Sequence, residues 1–84
     1  MKITFKLYAT LQHLLPADAV NNAIDIEVSE DVTLYQVIEM FKVNKKDAHL
    51  VLVNGTYINP EDRDKAGVIT ENDVVAIWPP VAGG

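Results

Sequence analysis

An α+β fold, with one helix laid across one face of a four- or five-stranded mixed sheet, is predicted by three features of this sequence. Ile3, Phe5 and Leu7 alternate with polar neighbours at one end, and Val74–Trp78 is a short apolar run at the other, both strand-like patterns. Between them the period changes to that of a helix, where Leu34, Val37, Ile38 and Phe41 recur at i, i+3, i+4 and i+7. Asn54-Gly55 then sits between two apolar stretches, the strongest short-range signal of a two-residue hairpin.

The elements follow in order. Thr4, Lys6 and Tyr8 alternate with the first three apolar residues, giving a first strand with one apolar face. Residues 10–23 form a connection in which Leu11, Leu14 and Leu15 can make one helical turn before Pro16 stops it, and Val20-Asn21-Asn22 is turn-like. Ile24, Ile26 and Val28 alternate with Asp25, Glu27 and Ser29, so a second strand can pair with the first across a wide loop. The helix start is well marked: Thr33 can cap it with Gln36 three residues on, and Val32 can staple against Val37. Val43-Asn44-Lys45-Lys46-Asp47 ends it and leads into an apolar strand at Leu50–Val53, with Tyr57-Ile58 as the brief return strand. Residues 60–66 are polar and have room for a single turn. Thr70-Glu71-Asn72-Asp73 is a further turn, in which Asn72 suits the left-handed conformation, and Val74–Trp78 is the final strand. A right-handed crossover through the helix joins the opening hairpin to the later strands and puts the first and last strands side by side, parallel, in the middle. This is the β-grasp architecture. It divides the chain into a domain at 1–78 and an extended C-terminal tail at 79–84.

Composition narrows the function. Eighty-four residues make one small domain, and 49% hydrophobic content is enough for its core. Without cysteine there is no disulfide framework, no thiolate nucleophile and no Cys-based zinc site, which fits a reducing cytosol. Any sulfur chemistry must use sulfur that no side chain supplies. No apolar run approaches a membrane span, and the strand pattern begins at Met1, so a soluble, cytoplasmic protein unprocessed at its N-terminus is expected, with no membrane partner. Twelve acidic against seven basic residues give a net charge of −5, which repels nucleic-acid phosphates and favours basic partners. His13 and His49 are far apart with no ligand at metal spacing, so no metal site is expected. The sequon Asn54-Gly55-Thr56 reads as the hairpin turn, and Glu61, Asp62 and Asp64 as a solvated loop face. No Ser-His-Asp set, Gly-rich phosphate loop or catalytic carboxylate pair stands out. The chain is therefore expected to bind no cofactor and not to be an enzyme on its own.

Chemistry is available instead in the tail, Pro79-Pro80-Val81-Ala82-Gly83-Gly84. Two glycines in a row make the thinnest and most permissive thread a polypeptide can form, one that suits a carboxylate handed into another protein's active site. Pro79 and Pro80 fix φ and bias the residues before them toward extended geometry, so the thread leaves the body stiffly and ends flexibly. A merely frayed end is the competing reading. Strand parity supplies a surface beside it: if Phe5, Leu7, Val75 and Ile77 face the helix, then Tyr8, Val74, Ala76 and Trp78 face away. Tyr8 and Trp78 then lie on neighbouring central strands, on the bare face, as aromatic interface anchors do. The alternative is that residues 10–23 fold over them as ordinary packing.

Val51-Leu52-Val53-Asn54-Gly55, the turn Glu71-Asn72-Asp73 leading into Val74-Val75-Ala76-Ile77, and above all the Pro-Pro-Val-Ala-Gly-Gly ending resemble the small subunit of molybdopterin synthase and its sulfur-carrier relatives, the ubiquitin-like proteins of molybdenum-cofactor and thiamine synthesis. The resemblance spans the whole chain in length and element order. Terminal Gly-Gly is its most specific motif, Pro79-Pro80-Val81 leans toward the molybdopterin branch, and Asn-Gly alone is weak. Two departures stand out: the family's frequent Asp-Gly-Asp turn is here Glu71-Asn72-Asp73, and residues 11–22 lack the Arg-Glu-Leu-like pattern common there. The resemblance implies that an E1-like enzyme adenylates the Gly84 carboxylate with ATP, and that a persulfide donor displaces AMP to leave a thiocarboxylate. Gly83 would help thread that group into the larger molybdopterin synthase subunit, to deliver dithiolene sulfur for a molybdenum or tungsten cofactor. It implies partner contacts at Tyr8, Trp78, Pro79, Pro80, Val81 and Ala82. Two other functions stay open: sulfur carriage for thiamine thiazole or another pathway, and conjugation to protein lysines through Gly84 as a ubiquitin-like modifier.

Overall fold

Alternation along the first strand sorts its side chains onto two faces: Ile3, Phe5 and Leu7 are buried, while Lys2, Thr4 and Lys6 between them keep contact with solvent. In the computed structural model, which describes residues 1–80, this strand is β1 (Lys2–Leu7), followed by β2 (Ala23–Glu27), α1 (Leu34–Met40), β3 (Leu50–Val53), β4 (Thr56–Tyr57) and β5 (Val74–Trp78). The sheet order is β2-β1-β5-β3-β4. β1 and β5 are parallel and central, with Phe5 opposite Val75 and Leu7 opposite Ile77, and the other pairs are antiparallel. This is the β-grasp arrangement that the element order predicts.

The helix has only seven residues, too few to hold itself in water, so its N-terminal lock and its packing must do so. Thr33 and Gln36 form the expected capping box: the Gln36 amide donates to Thr33 Oγ1 at 3.1 Å, and the Thr33 amide donates to Gln36 Oε1 at 2.9 Å. Leu34, Val37 and Ile38 are buried in the same core as Ile3, Phe5, Leu7, Val51, Val75 and Ile77. Phe41 falls one residue past the helix, at its C-cap, where its half-buried ring stacks on Phe5 at 4.4 Å between centroids. The apolar stripe thus outlasts the helix by one residue, because Lys42 turns into the left-handed region at φ 60°.

Two boundaries differ from the sequence reading for local reasons. Asn54 and Gly55 both take positive φ, 50° and 85°, the signature of a two-residue hairpin turn. That turn pairs Val53 with Thr56 and Leu52 with Tyr57, so the return strand is Thr56–Tyr57 rather than Tyr57-Ile58. Residues Ala9–Leu14 form a 3-10 helix with Leu11 buried, and Leu15 is extended ahead of Pro16. The polar connection holds its single turn at Pro60–Asp62, and Asn72 is left-handed at φ 66°.

Asp73 ties that last turn to the hairpin. Its carboxylate accepts from the Thr70 amide at 2.7 Å, from Asn54 Nδ2 at 2.8 Å and from Thr70 Oγ1 at 3.1 Å, while Asn54 Oδ1 accepts from the Val74 amide at 2.9 Å. Burial acts to raise the carboxyl's pKa, but the bonds from Thr70 and Asn54 outweigh it and hold the group below its ordinary value. A depressed folded-state pKa adds stability above the unfolded value and loses it as pH falls. We therefore expect Asp73→Asn to be less stable than the parent at neutral pH, and the difference to shrink as pH drops through and below 3.8. Denaturant melts at neutral and acid pH check this; a gap that does not change with pH would contradict it.

Candidate functional site

Register carries the open face of the sheet across its three inner strands, β1, β5 and β3. Thr4 lies opposite Val74, Lys6 opposite Ala76, Leu52 opposite Ala76 and Leu50 opposite Trp78, so these side chains share the face away from α1. Trp78 stands at the end of β5 and Tyr8 just past the end of β1. Their rings stack nearly parallel, with centroids 4.2 Å apart and planes 2° from each other. Backbone bonds fix both positions: the Tyr8 amide donates to Ile77 O at 3.1 Å, and the His49 amide donates to Trp78 O at 3.1 Å. Both residues remain half-buried, because the leucines of the long connection, Leu11, Leu14 and Leu15, pack against the core instead. The two stacked rings form a two-layered aromatic plate beside the point where the tail leaves the sheet.

Pro79 and Pro80 follow directly from this plate and line a groove of about 500 Å³ with Leu11, His13, Lys42 and Asp47 among its walls. Val81, Ala82, Gly83 and Gly84 lie outside the described residues. Of the sequence-predicted site residues, the structure thus brings Tyr8, Trp78, Pro79 and Pro80 to one end of the central strands. Among the described residues no helix is long and apolar enough to cross a membrane.

One residue that shapes this end of the molecule carries no signal in the sequence. Arg63 lies in an acidic turn, between Asp62 and Asp64, and reads there as surface charge, yet it is only 3% exposed. Its Nε donates to Ile58 O at 2.9 Å and one terminal nitrogen to Ala48 O at 2.9 Å. The other reaches His49 O at 3.4 Å and the Tyr57 hydroxyl at 3.3 Å. The guanidinium also sits over the Tyr57 ring, 5.5 Å from its centroid, and the Arg63 carbonyl accepts from the Tyr35 amide at 2.9 Å. Its partners are backbone carbonyls and a phenol rather than a carboxylate. The fork ties the segment entering β3 to the return strand and Ile58, and the residue's own carbonyl holds the first turn of α1 beside them. Its neighbour Asp62 instead pairs outward with Lys65 at 2.7 Å, as a solvated loop does.

Comparison with known proteins converges on one fold. The ThiS family model matches residues 6–84. Among curated protein sequences no relative matches the chain. Among solved structures, small archaeal modifier protein 1 from Haloferax volcanii aligns over 95% of this chain and 98% of its own, at 19% identity and a TM-score of 0.66. A Pyrococcus furiosus protein described as molybdopterin converting factor, subunit 1, aligns over 95% and 98%, at 24% identity and a TM-score of 0.63. The complex of subunits 1 and 2 of the molybdopterin-converting factor from Helicobacter pylori contains a chain that aligns over 100% of both, at 16% identity and a TM-score of 0.59. Identities this low establish a shared fold.

Proposed function

Because the chain belongs to the ThiS family, we propose that it is a sulfur carrier whose working group is the Gly84 carboxylate, and that it serves as the small subunit of a molybdopterin synthase. The observation that carries this reading is that the family match runs through Gly83-Gly84, at the end of a tail rooted by Pro79-Pro80 on the central strand. A carboxylate is a poor acyl electrophile. An E1-like enzyme would first let a Gly84 oxygen attack the α-phosphorus of ATP, releasing pyrophosphate and leaving an acyl-adenylate. The terminal sulfur of a donor persulfide then attacks the acyl carbon and AMP leaves, and a second thiol cleaves the resulting S–S bond to give a thiocarboxylate and a disulfide. That anionic sulfur is the nucleophile delivered to the acceptor, so this chain supplies position and a leaving thread rather than a catalytic side chain. The need for ATP fits the cytoplasmic setting that we propose for these steps.

The stacked Tyr8–Trp78 plate is the surface we assign to the activating enzyme and, in turn, to a larger synthase subunit. The two-subunit Helicobacter pylori complex supports a larger partner, and Pro79-Pro80-Val81 favours the molybdopterin branch over thiazole formation. Likeness to a small archaeal modifier supports a second reading, in which Gly84 ends as an isopeptide on a lysine. Intact mass after co-expression with an adenylating enzyme and a persulfide donor tests both readings. Exchange of one oxygen for sulfur at the C-terminus is expected. Conjugates joined through Gly84 would move the assignment to the modifier, and an unmodified chain beside an enzyme shown to be competent would overturn sulfur carriage.

A further inference from the structure

We propose that the outer edge of β2 is a docking site for an extended segment of a partner protein in which lysine or arginine alternates with apolar residues, added as a sixth strand beside β2. The two sheet edges are unequal: β4 offers two residues, β2 five. The Leu7 amide donates to Asn22 O and the Val28 amide to Met1 O, which fixes Ile24 and Ile26 as the residues whose backbone groups turn toward β1. Ala23, Asp25 and Glu27 therefore present theirs outward. Ala23 is already closed by Val20, with the two exchanging bonds at 2.9 and 3.0 Å. The outward N–H and C=O groups of Asp25 and Glu27 have no backbone partner among the described residues. They stand two residues apart on one edge, the repeat that an added strand pairs with.

Side chains along this edge dictate what the added strand must carry. On the α1 side it would run beside Ile24 and Ile26, which are half-buried at the rim of the core. On the open side it would run beside Asp25 and Glu27, whose side chains are 58% and 81% exposed. A hollow of about 430 Å³ opens at the same edge, lined by Asp18, Val20, Ala23, Ile24 and Asp25. Alternate residues of an incoming strand thus meet aliphatic surface and carboxylates in turn. A second copy of this chain fits poorly, since antiparallel β2–β2 pairing sets carboxylates against carboxylates in a molecule that already carries −5. A basic, alternating segment answers both faces at once.

This inference does not depend on the reading of Gly84, and its test does not involve the tail. The probe is the capped hexapeptide acetyl-Lys-Val-Lys-Val-Lys-Val-amide, titrated into isotopically labelled full-length protein and followed by amide shifts and amide exchange. Shifts and slowed exchange centred on Asp25 and Glu27 are expected. The double variant Asp18→Lys/Glu27→Lys, checked to melt as the parent does, is expected to bind about tenfold more weakly or worse. A peptide with alternate backbone nitrogens methylated is expected not to bind, since it cannot supply the ladder. Any one of three results would overturn the proposal: shifts that avoid β2, equal binding by the methylated peptide, or protection of Asp25 and Glu27 by concentration-dependent dimerisation without peptide.

Discussion

Arg63→Met is expected to lower unfolding stability by ~3 kcal/mol or more, a large part of the ~4–12 kcal/mol that a domain of this size possesses. Methionine removes the cost of burying a charge and keeps much of the volume. It also leaves the carbonyls of Ala48 and Ile58, and the weaker bond at His49, facing inward with no donor. An unsatisfied buried carbonyl costs ~1–3 kcal/mol, so the losses at Ala48 and Ile58 alone exceed the gain from removing a charge that was already well solvated by dipoles. Arg63→Lys is expected to recover only part of the deficit, because one ammonium on a flexible stem cannot span carbonyls that a planar fork meets together. Denaturant midpoints at constant m-value measure both variants. If the lysine variant matched the parent, the fork geometry would be irrelevant and the account of Arg63 wrong.

Adding a single residue after Gly84 is expected to abolish thiocarboxylate formation while leaving the complex with the activating enzyme intact. The two events use different parts of the molecule. Docking is assigned to the Tyr8–Trp78 plate, and acyl transfer to a carboxylate that one extra residue moves out of register. Trp78→Ala should behave in the opposite sense: partner affinity falls by ~2 kcal/mol, as an aromatic anchor's removal should cause, while the half-exposed site lets the domain stay folded. Binding by calorimetry and product by intact mass separate the two effects. An extended chain that is still thiolated without trimming, or a Trp78→Ala variant that binds as tightly as the parent, would break the division between body and thread.

Sequence pattern reveals most of this fold because the core is built from it. Ile3, Phe5, Leu7, Val51, Val75 and Ile77 alternate, Leu34, Val37 and Ile38 recur at helical spacing, and the turns use residues whose backbone preferences are strong, Asn54-Gly55 and Asn72. Parity alone puts Tyr8 and Trp78 on one face. That their rings lie flat on each other follows from the parallel β1–β5 register, which no local pattern encodes. The return strand slips by one residue because a two-residue turn, not the hydrophobicity of Ile58, sets the pairing. Arg63 stays hidden for a related reason: its partners include three main-chain carbonyls from two separate segments, and carbonyls are the same in every residue.

The strand in the middle of the sheet is also the last of the five to be synthesised. Residues 4–7 pair with residues 74–77, so the β1–β2 hairpin must wait, its apolar face covered at best by α1, until nearly the whole domain has left the ribosome. Closure is then a single late event, in which inserting β5 completes the core, brings Trp78 onto Tyr8 and points Pro79 out of the finished sheet. Maturity of the body and presentation of the thread become the same step. A partner that reads both the aromatic plate and the thread would reject an incompletely folded chain without any separate means of inspection.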